Sequence, residues 1–150
     1  MNRSVMTKLW GTAFVAMLLW VPGAQAKIGD IIFVAGDVKI TDAQGKVRDA
    51  VRGTAIEEGE GIQTAPGASA QIRMVDQAFI AVRPDTSMKF ERYQFQGKED
   101  GKESAFMSIV RGGFRSITGL IGRANKANYL VRTPVATIGI RGSDIQPMHF

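Results

Sequence analysis

The sequence predicts an all-β domain of many short strands, solenoid-like or sandwich-like, behind an N-terminal signal segment. Short runs in which apolar and polar residues alternate recur at close spacing, the mark of half-buried strands. Seventeen glycines against five prolines, with no low-complexity tract, supply the turns between them. Beyond Lys27 no stretch keeps a helical period for three turns. At 150 residues and 45% hydrophobic content, the chain holds one domain and enough apolar material for a core.

The first 26 residues have the three parts of a secretory signal: Arg3 and Lys8 in a basic start, the apolar LWGTAFVAMLLWV ending at Val21, and the small-residue site AQA. Cleavage is expected after Ala26, ahead of Lys27. An apolar run this short does not reach the roughly 20 residues of a spanning helix. Membrane contact is therefore expected only through the uncleaved segment. The β domain is expected over 27–150, with its core at 31–145.

Removing the signal lowers Lys+Arg from 19 to 17 against 14 acids, a net of +3. That mild balance, on an exported chain, argues against a nucleic-acid partner, which requires a concentrated basic face. With no cysteine there are no disulfides, no thiol catalysis and no thiolate metal site. The core alone must hold the domain.

Along the chain, IIFVAGDVKIT from Ile31 places Val38 and Ile40 on one face and Asp37 and Lys39 on the other. Asp42 to Lys46 reads as a hairpin loop. Strands are expected at Lys46 to Val51, Ala68 to Val75 and Ala78 to Arg83, the last two joined by a two-residue turn, Asp76-Gln77. After Pro84-Asp85, the run Ser87 to Phe95 turns Met88, Phe90 and Phe95 inward. Gln96 to Glu103 is charged and reads as an exposed loop. Ser104 to Phe114 is one strand with a Gly112-Gly113 kink, and a single helical turn falls within Ile117 to Ala124.

Two segments echo each other without gaps: PGASAQIRMVD, Pro66 to Asp76, and PVATIGIRGSD, Pro134 to Asp144. Both fit P-x-A-[ST]-x-x-I-R-x-x-D, which makes them candidate strand–turn units repeated within the domain. In the second copy Arg141 and Asp144 are candidate contacts for a partner, because a guanidinium fork suits a carboxylate or a backbone carbonyl. Arg111, Arg115 and Arg123, in the most basic local stretch, are the other interaction candidates.

The inventory for catalysis is thin. His149, the only histidine, is next to the last residue, a poor place to hold a general base or metal ligand. Glu57, Glu58 and Glu60 cluster beside two glycines, which reads as a solvated turn before a glycosidase pair. No metal-ligand or nucleotide-loop spacing occurs. The expectation is no enzyme, no cofactor and no metal.

The order of GDV (Gly36 to Val38), the stretch Gly59 to Phe90, VRGGFRSITGLI (Val110 to Ile121) and YLVRTPVATIGIRGSD (Tyr129 to Asp144) resembles the FecR domain of bacterial envelope proteins. Thr133, Pro134, Gly139 and Gly142 carry the signature TP-x-A-x-x-G-I-R-G-[ST]-D. The resemblance implies a periplasmic or secreted all-β module without enzymatic chemistry, which binds an envelope protein. In its best-known members such a module relays the state of an outer-membrane transporter to a sigma factor.

Eight residues before the apolar segment leave no room for a sigma-binding domain, so a standalone exported member is expected. The family signature leads into a further strand where this chain offers only IQPMHF, which leaves two readings of the carboxyl end open, complete or truncated. The alternative function is a structural domain that binds polysaccharide or peptidoglycan through Tyr93, Phe95 and the basic Arg111 to Lys126 region.

Overall fold

The computed structural model describes residues 26–139 and 144–145. The signal segment, apart from Ala26, and Arg141 and Gly142 lie outside the described residues. Among the described residues thirteen strands form two sheets. The six-stranded sheet runs, edge to edge, β13 (Asp144–Ile145), β10 (Phe114–Ile117), β7 (Phe79–Val82), β6 (Ser69–Met74), β1 (Lys27–Ala35) and β4 (Ala55–Glu57). The seven-stranded sheet runs β12 (Thr137–Gly139), β11 (Tyr129–Arg132), β9 (Ser104–Arg111), β8 (Ser87–Gln94), β5 (Gly61–Thr64), β2 (Val38–Thr41) and β3 (Val47–Asp49). Described helix is limited to the five residues of α1 (Leu120–Ala124) and a 3-10 turn, Lys126–Asn128.

Alternation fixes which side of each strand is buried. In β6, Ala70, Ile72 and Met74 are buried while Gln71 and Arg73 are exposed. Ile31, Ile56, Ile72, Ile80 and Phe114 of the first sheet join Ile40, Ile62, Phe90, Met107 and Val131 of the second in one buried cluster. Burying each such side chain contributes about 1.5–3 kcal/mol. A core shared between two sheets is the sandwich-like of the two expected arrangements. Ile28, near the start of β1, already belongs to this core at 1% exposed.

The chain passes repeatedly from one sheet to the other, and hydrogen bonds knit these crossings together. Ala65 N donates to Asp37 O at 3.0 Å, and Asp85 N to Ala65 O at 3.2 Å. Thr64 Oγ1 donates to Arg83 O at 2.6 Å and accepts from Thr86 N at 3.0 Å. Thr86 Oγ1 in turn donates to Gly113 O and accepts from Gly113 N, both at 3.0 Å. Two buried threonine hydroxyls thus satisfy backbone groups that leave their ladders at the corner.

Three expectations are corrected here. Gly112-Gly113 does not kink one strand; it carries the chain from β9 in one sheet to β10 in the other. The loop after β6 has three residues, not two. Met74 N donates to Ala78 O at 2.8 Å around Val75, Asp76 and Gln77, and Gln77 takes a left-handed φ of 68°. Glu103, expected in an exposed loop, is 2% exposed, with neither carboxyl oxygen hydrogen-bonded. Its neighbours in the loop remain exposed.

The echo does not make two equivalent units. Pro66 opens β6, a central strand with Ile72 fully buried. Pro134 opens the hairpin to β12, an edge strand with no buried residue.

Gly112 sits at φ 83°, and a Cβ there would lie 2.3 Å from Thr86 Oγ1 and 2.5 Å from Asp85 O. Gly112→Ala is therefore expected to lower stability by about 2–4 kcal/mol in urea unfolding. A loss below about 0.5 kcal/mol would contradict the packed corner.

Candidate functional site

The outward positions of the six-stranded sheet depart from the polar-out rule. Register sets Phe33 opposite Gln71, Gln71 opposite Ala81 and Ala81 opposite Arg115. The next row sets Arg73 opposite Phe79 and Phe79 opposite Ile117. Directly opposed residues share a face at about 4.5–5.5 Å between Cβ atoms. Phe33, Phe79 and Ile117 are 46%, 43% and 51% exposed. An open groove of about 290 Å³ runs among Gln71, Phe79, Ala81, Arg115 and Ile117.

The outer face of the seven-stranded sheet is different in kind. Lys39 pairs with Asp37 and Asp49, Lys89 lies 3.4 Å from Glu91, and Glu91 accepts from Ser108 Oγ at 2.8 Å. The Arg132 guanidinium lies 4.8 Å from the centre of the Phe106 ring. Lys39 and Lys89 there each have an acidic neighbour.

The ends of β7 and β10, which carry the groove, meet at one buried side chain. Asp76 is 0% exposed. Its Oδ1 accepts from Tyr93 Oη at 2.6 Å and from Ala78 N at 3.1 Å, and its Oδ2 from Ile121 N at 3.2 Å. Its carbonyl accepts from Leu120 N at 2.9 Å. Both bonds from α1 take backbone donors of a helix start that no local side chain caps. Gly119 makes the approach possible, since a Cβ there would stand 2.3 Å from Asp76 O. Beside it, Tyr129 Oη and Ser116 Oγ lie 2.8 Å apart, both buried.

The described residues among those singled out in the sequence fall at separate places. Arg115 lines the groove. Arg111 is at the corner, exposed and 2.9 Å from the equally exposed Asp85, a pair worth about 0–1 kcal/mol. Arg123 is exposed on α1. The Asp144 backbone is paired with Ile117 at the sheet edge. Thr133 is buried, its hydroxyl accepting from Val135 N and Ala136 N at 3.4 and 3.0 Å, so it shapes the turn at the exposed Pro134. Gly139 pairs with Leu130 in β12.

Two further corrections concern the acids and the aromatics. Glu60 is not on a solvated turn; it is 1% exposed and held by both terminal nitrogens of Arg48, at 2.5 and 2.9 Å. Glu60 also accepts from Glu57 N, and Glu58 from Tyr93 N, each at 2.9 Å. Tyr93, expected as an exposed platform for glycans, is 2% exposed, because a bulge in β8 between Phe90 and Arg92 shifts its phase inward. Phe95 packs partly buried against the core.

Among the described residues no group of three or more His, Cys, Asp or Glu could hold a metal ion. No described helix is long and apolar enough to cross a membrane.

The FecR protein family model matches residues 60–148, more than half of the chain. The chain belongs to the FecR family. No curated protein matches it. A solved structure titled "Cell surface anchoring domain" is similar at 27% identity and a TM-score of 0.40, over 41% of this chain and 82% of that one. The matched FecR segment contains Asp76 and every residue lining the groove, whereas Phe33 lies outside it.

The groove residues of this FecR chain that sequence reasoning missed, Phe79 and Ile117, did carry a signal. Each is a large apolar residue on the polar phase of its strand, two apart from Ala81 and Arg115.

Burial pushes the Tyr129 hydroxyl from its ordinary 10 to about 12, and burial with neighbouring Tyr129 and Asp76 raises Tyr93 well above the same value. The unfolded chain releases these protons near 10 while the folded chain keeps them. Their contribution is therefore complete below pH 10 and lost as pH rises towards about 12. The urea midpoint is expected to fall across that window, and Tyr129→Phe to flatten the fall. Equal slopes in the two proteins would contradict it.

Proposed function

We propose that this FecR chain is a non-enzymatic interaction module of the bacterial cell envelope, which holds an envelope protein against the outer face of its six-stranded sheet. The observation that carries the reading is the contrast between the two outer faces. One gathers Phe79 and Ile117, paired across β7 and β10, at a groove with Phe33 on the same face, whereas the exposed apolar residues of the other, Val47 and Val110, stand on strands far apart, with ion pairs at Lys39 and Lys89. Exposed contiguous apolar surface rimmed by polar groups is how partner sites are usually built. Family membership and the signal segment expected at residues 1–26 support the envelope location. In this reading a signalling role consists in gaining or losing that partner. Glycan binding is less well supported, since Tyr93 has its ring in the core.

The test is crosslinking of the full chain in envelope preparations, compared with Ile117→Asp on the groove and Val110→Asp on the other sheet, where Val110 is 70% exposed. A discrete crosslinked species present with wild type and Val110→Asp, and lost with Ile117→Asp, is the expected result. No species, or the same species with Ile117→Asp, would overturn the reading.

A further inference from the structure

One buried acid has no partner within the chain. Glu103 stands just before β9, in the inward phase of Ala105 and Met107, and is 2% exposed, yet neither of its carboxyl oxygens accepts a hydrogen bond. Among the described residues it is the only buried side chain with polar atoms left unbonded. The other two buried acids are satisfied, Asp76 by Tyr93 and two backbone donors, and Glu60 by Arg48 and Glu57 N. An unpaired carboxylate is costly to bury, so Glu103 points to a cation that joins it.

The backbone around it is held in place. Asn128 Nδ2 donates to Glu103 O at 3.0 Å, Asn125 Nδ2 to Gly101 O at 3.5 Å, and Lys102 N to Asp100 Oδ1 at 3.1 Å. A cleft of about 130 Å³ in this loop between β8 and β9 is lined by Gln94, Gln96, Lys98, Asp100, Lys102 and Glu103. Its two lysines and two acids balance formally. Both lysines and Asp100 are exposed and screened by water, however, whereas Glu103 is not.

The acceptors narrow the ligand. A calcium ion takes roughly six to eight oxygens, and no group of three or more His, Cys, Asp or Glu among the described residues could hold a metal. A guanidinium presents a planar fork that a single carboxylate uses up. An ammonium is compact, carries one charge and directs its three donors apart, enough for Glu103 and the amide oxygens of Gln94 and Gln96.

We infer that this cleft binds a primary ammonium group, with Glu103 as its counter-ion and Gln94 and Gln96 as its remaining acceptors. A lysine side chain of a partner and a free amine share that chemistry.

The test is NMR of the amides and side-chain carboxyl groups of the isotope-labelled full chain, titrated at constant ionic strength. The probes are methylammonium, N-acetyl-lysine amide, and tetramethylammonium, which has the charge without an N–H donor. Saturable shifts at Gln94, Gln96 and the Glu103 carboxyl are expected with the first two and not with the third. Tighter binding of the lysine derivative assigns the site to a partner's lysine; equal or weaker binding assigns it to a free amine. Glu103→Gln should weaken binding about tenfold or more. It should also raise the urea midpoint, because it removes an unpaired buried charge.

No saturable shift, equal shifts with tetramethylammonium, or a urea midpoint that falls in Glu103→Gln overturns the inference. So does a Glu103 carboxyl signal that moves in Lys98→Gln or Lys102→Gln without added amine, which would assign the cleft to the chain's own lysine. The cleft belongs to the loop between β8 and β9 and not to the groove, so its failure leaves the interaction module standing.

Discussion

The fold and its candidate site both depend on the hydrogen bonding of Asp76. Its carboxyl group, fully buried, draws donors from the β6–β7 loop, from Tyr93 in β8 and from the start of α1. A buried polar side chain is tolerated only when its lone pairs are used, and each bond removed leaves its donor unsatisfied as well. The geometry also explains why α1 is short and still ordered. Its first N–H groups, without any local cap, are satisfied by the Asp76 carbonyl and side chain. Gly119 is the residue that lets those two backbones touch.

At the opposite end of the strands, Thr64, Thr86 and Gly113 tie the sheet crossings together. Between these two anchors β7 and β10 are held side by side in register, and this puts Phe79 next to Ile117. The outer groove is thus a consequence of interior polar bonding. Pairing with β13 continues the sheet past Ile117, so the groove borders the last described strand of the chain. On the other outer face the exposed Val47 and Val110 lie on strands far apart, and Lys39, Lys89 and Glu91 find partners among their neighbours.

Much of the fold was legible because burial follows period two. Val38 with Ile40, Ala70 with Ile72, and Met88 with Phe90 are buried where alternation places them, and the Asp42 to Lys46 loop is closed by the Asp42 side chain. What alternation does not encode is which sheet a strand joins. β9 and β10 look like one strand in sequence and belong to two sheets, because two glycines permit a corner that packs against Arg83, Asp85 and Thr86, far away in the chain. Tyr93 was misplaced because a bulge shifts the phase inside β8. Asp76 looked like a turn residue because its partners, Tyr93 and Ile121, are distant in sequence. Of the arginines singled out for charge alone, Arg115 is in the groove and Arg111 and Arg123 are elsewhere. Charge runs follow the chain, whereas a surface is assembled across strands.

The most direct measurement is the stability of Asp76→Ala by urea unfolding, with amide exchange at Leu120 and Ile121. Removing the side chain strands the Tyr93 hydroxyl and two backbone donors in the core, so a loss of about 3 kcal/mol is expected, with protection of α1 collapsing first. A stability within about 0.5 kcal/mol of wild type, with α1 still protected, would contradict the central place given to Asp76.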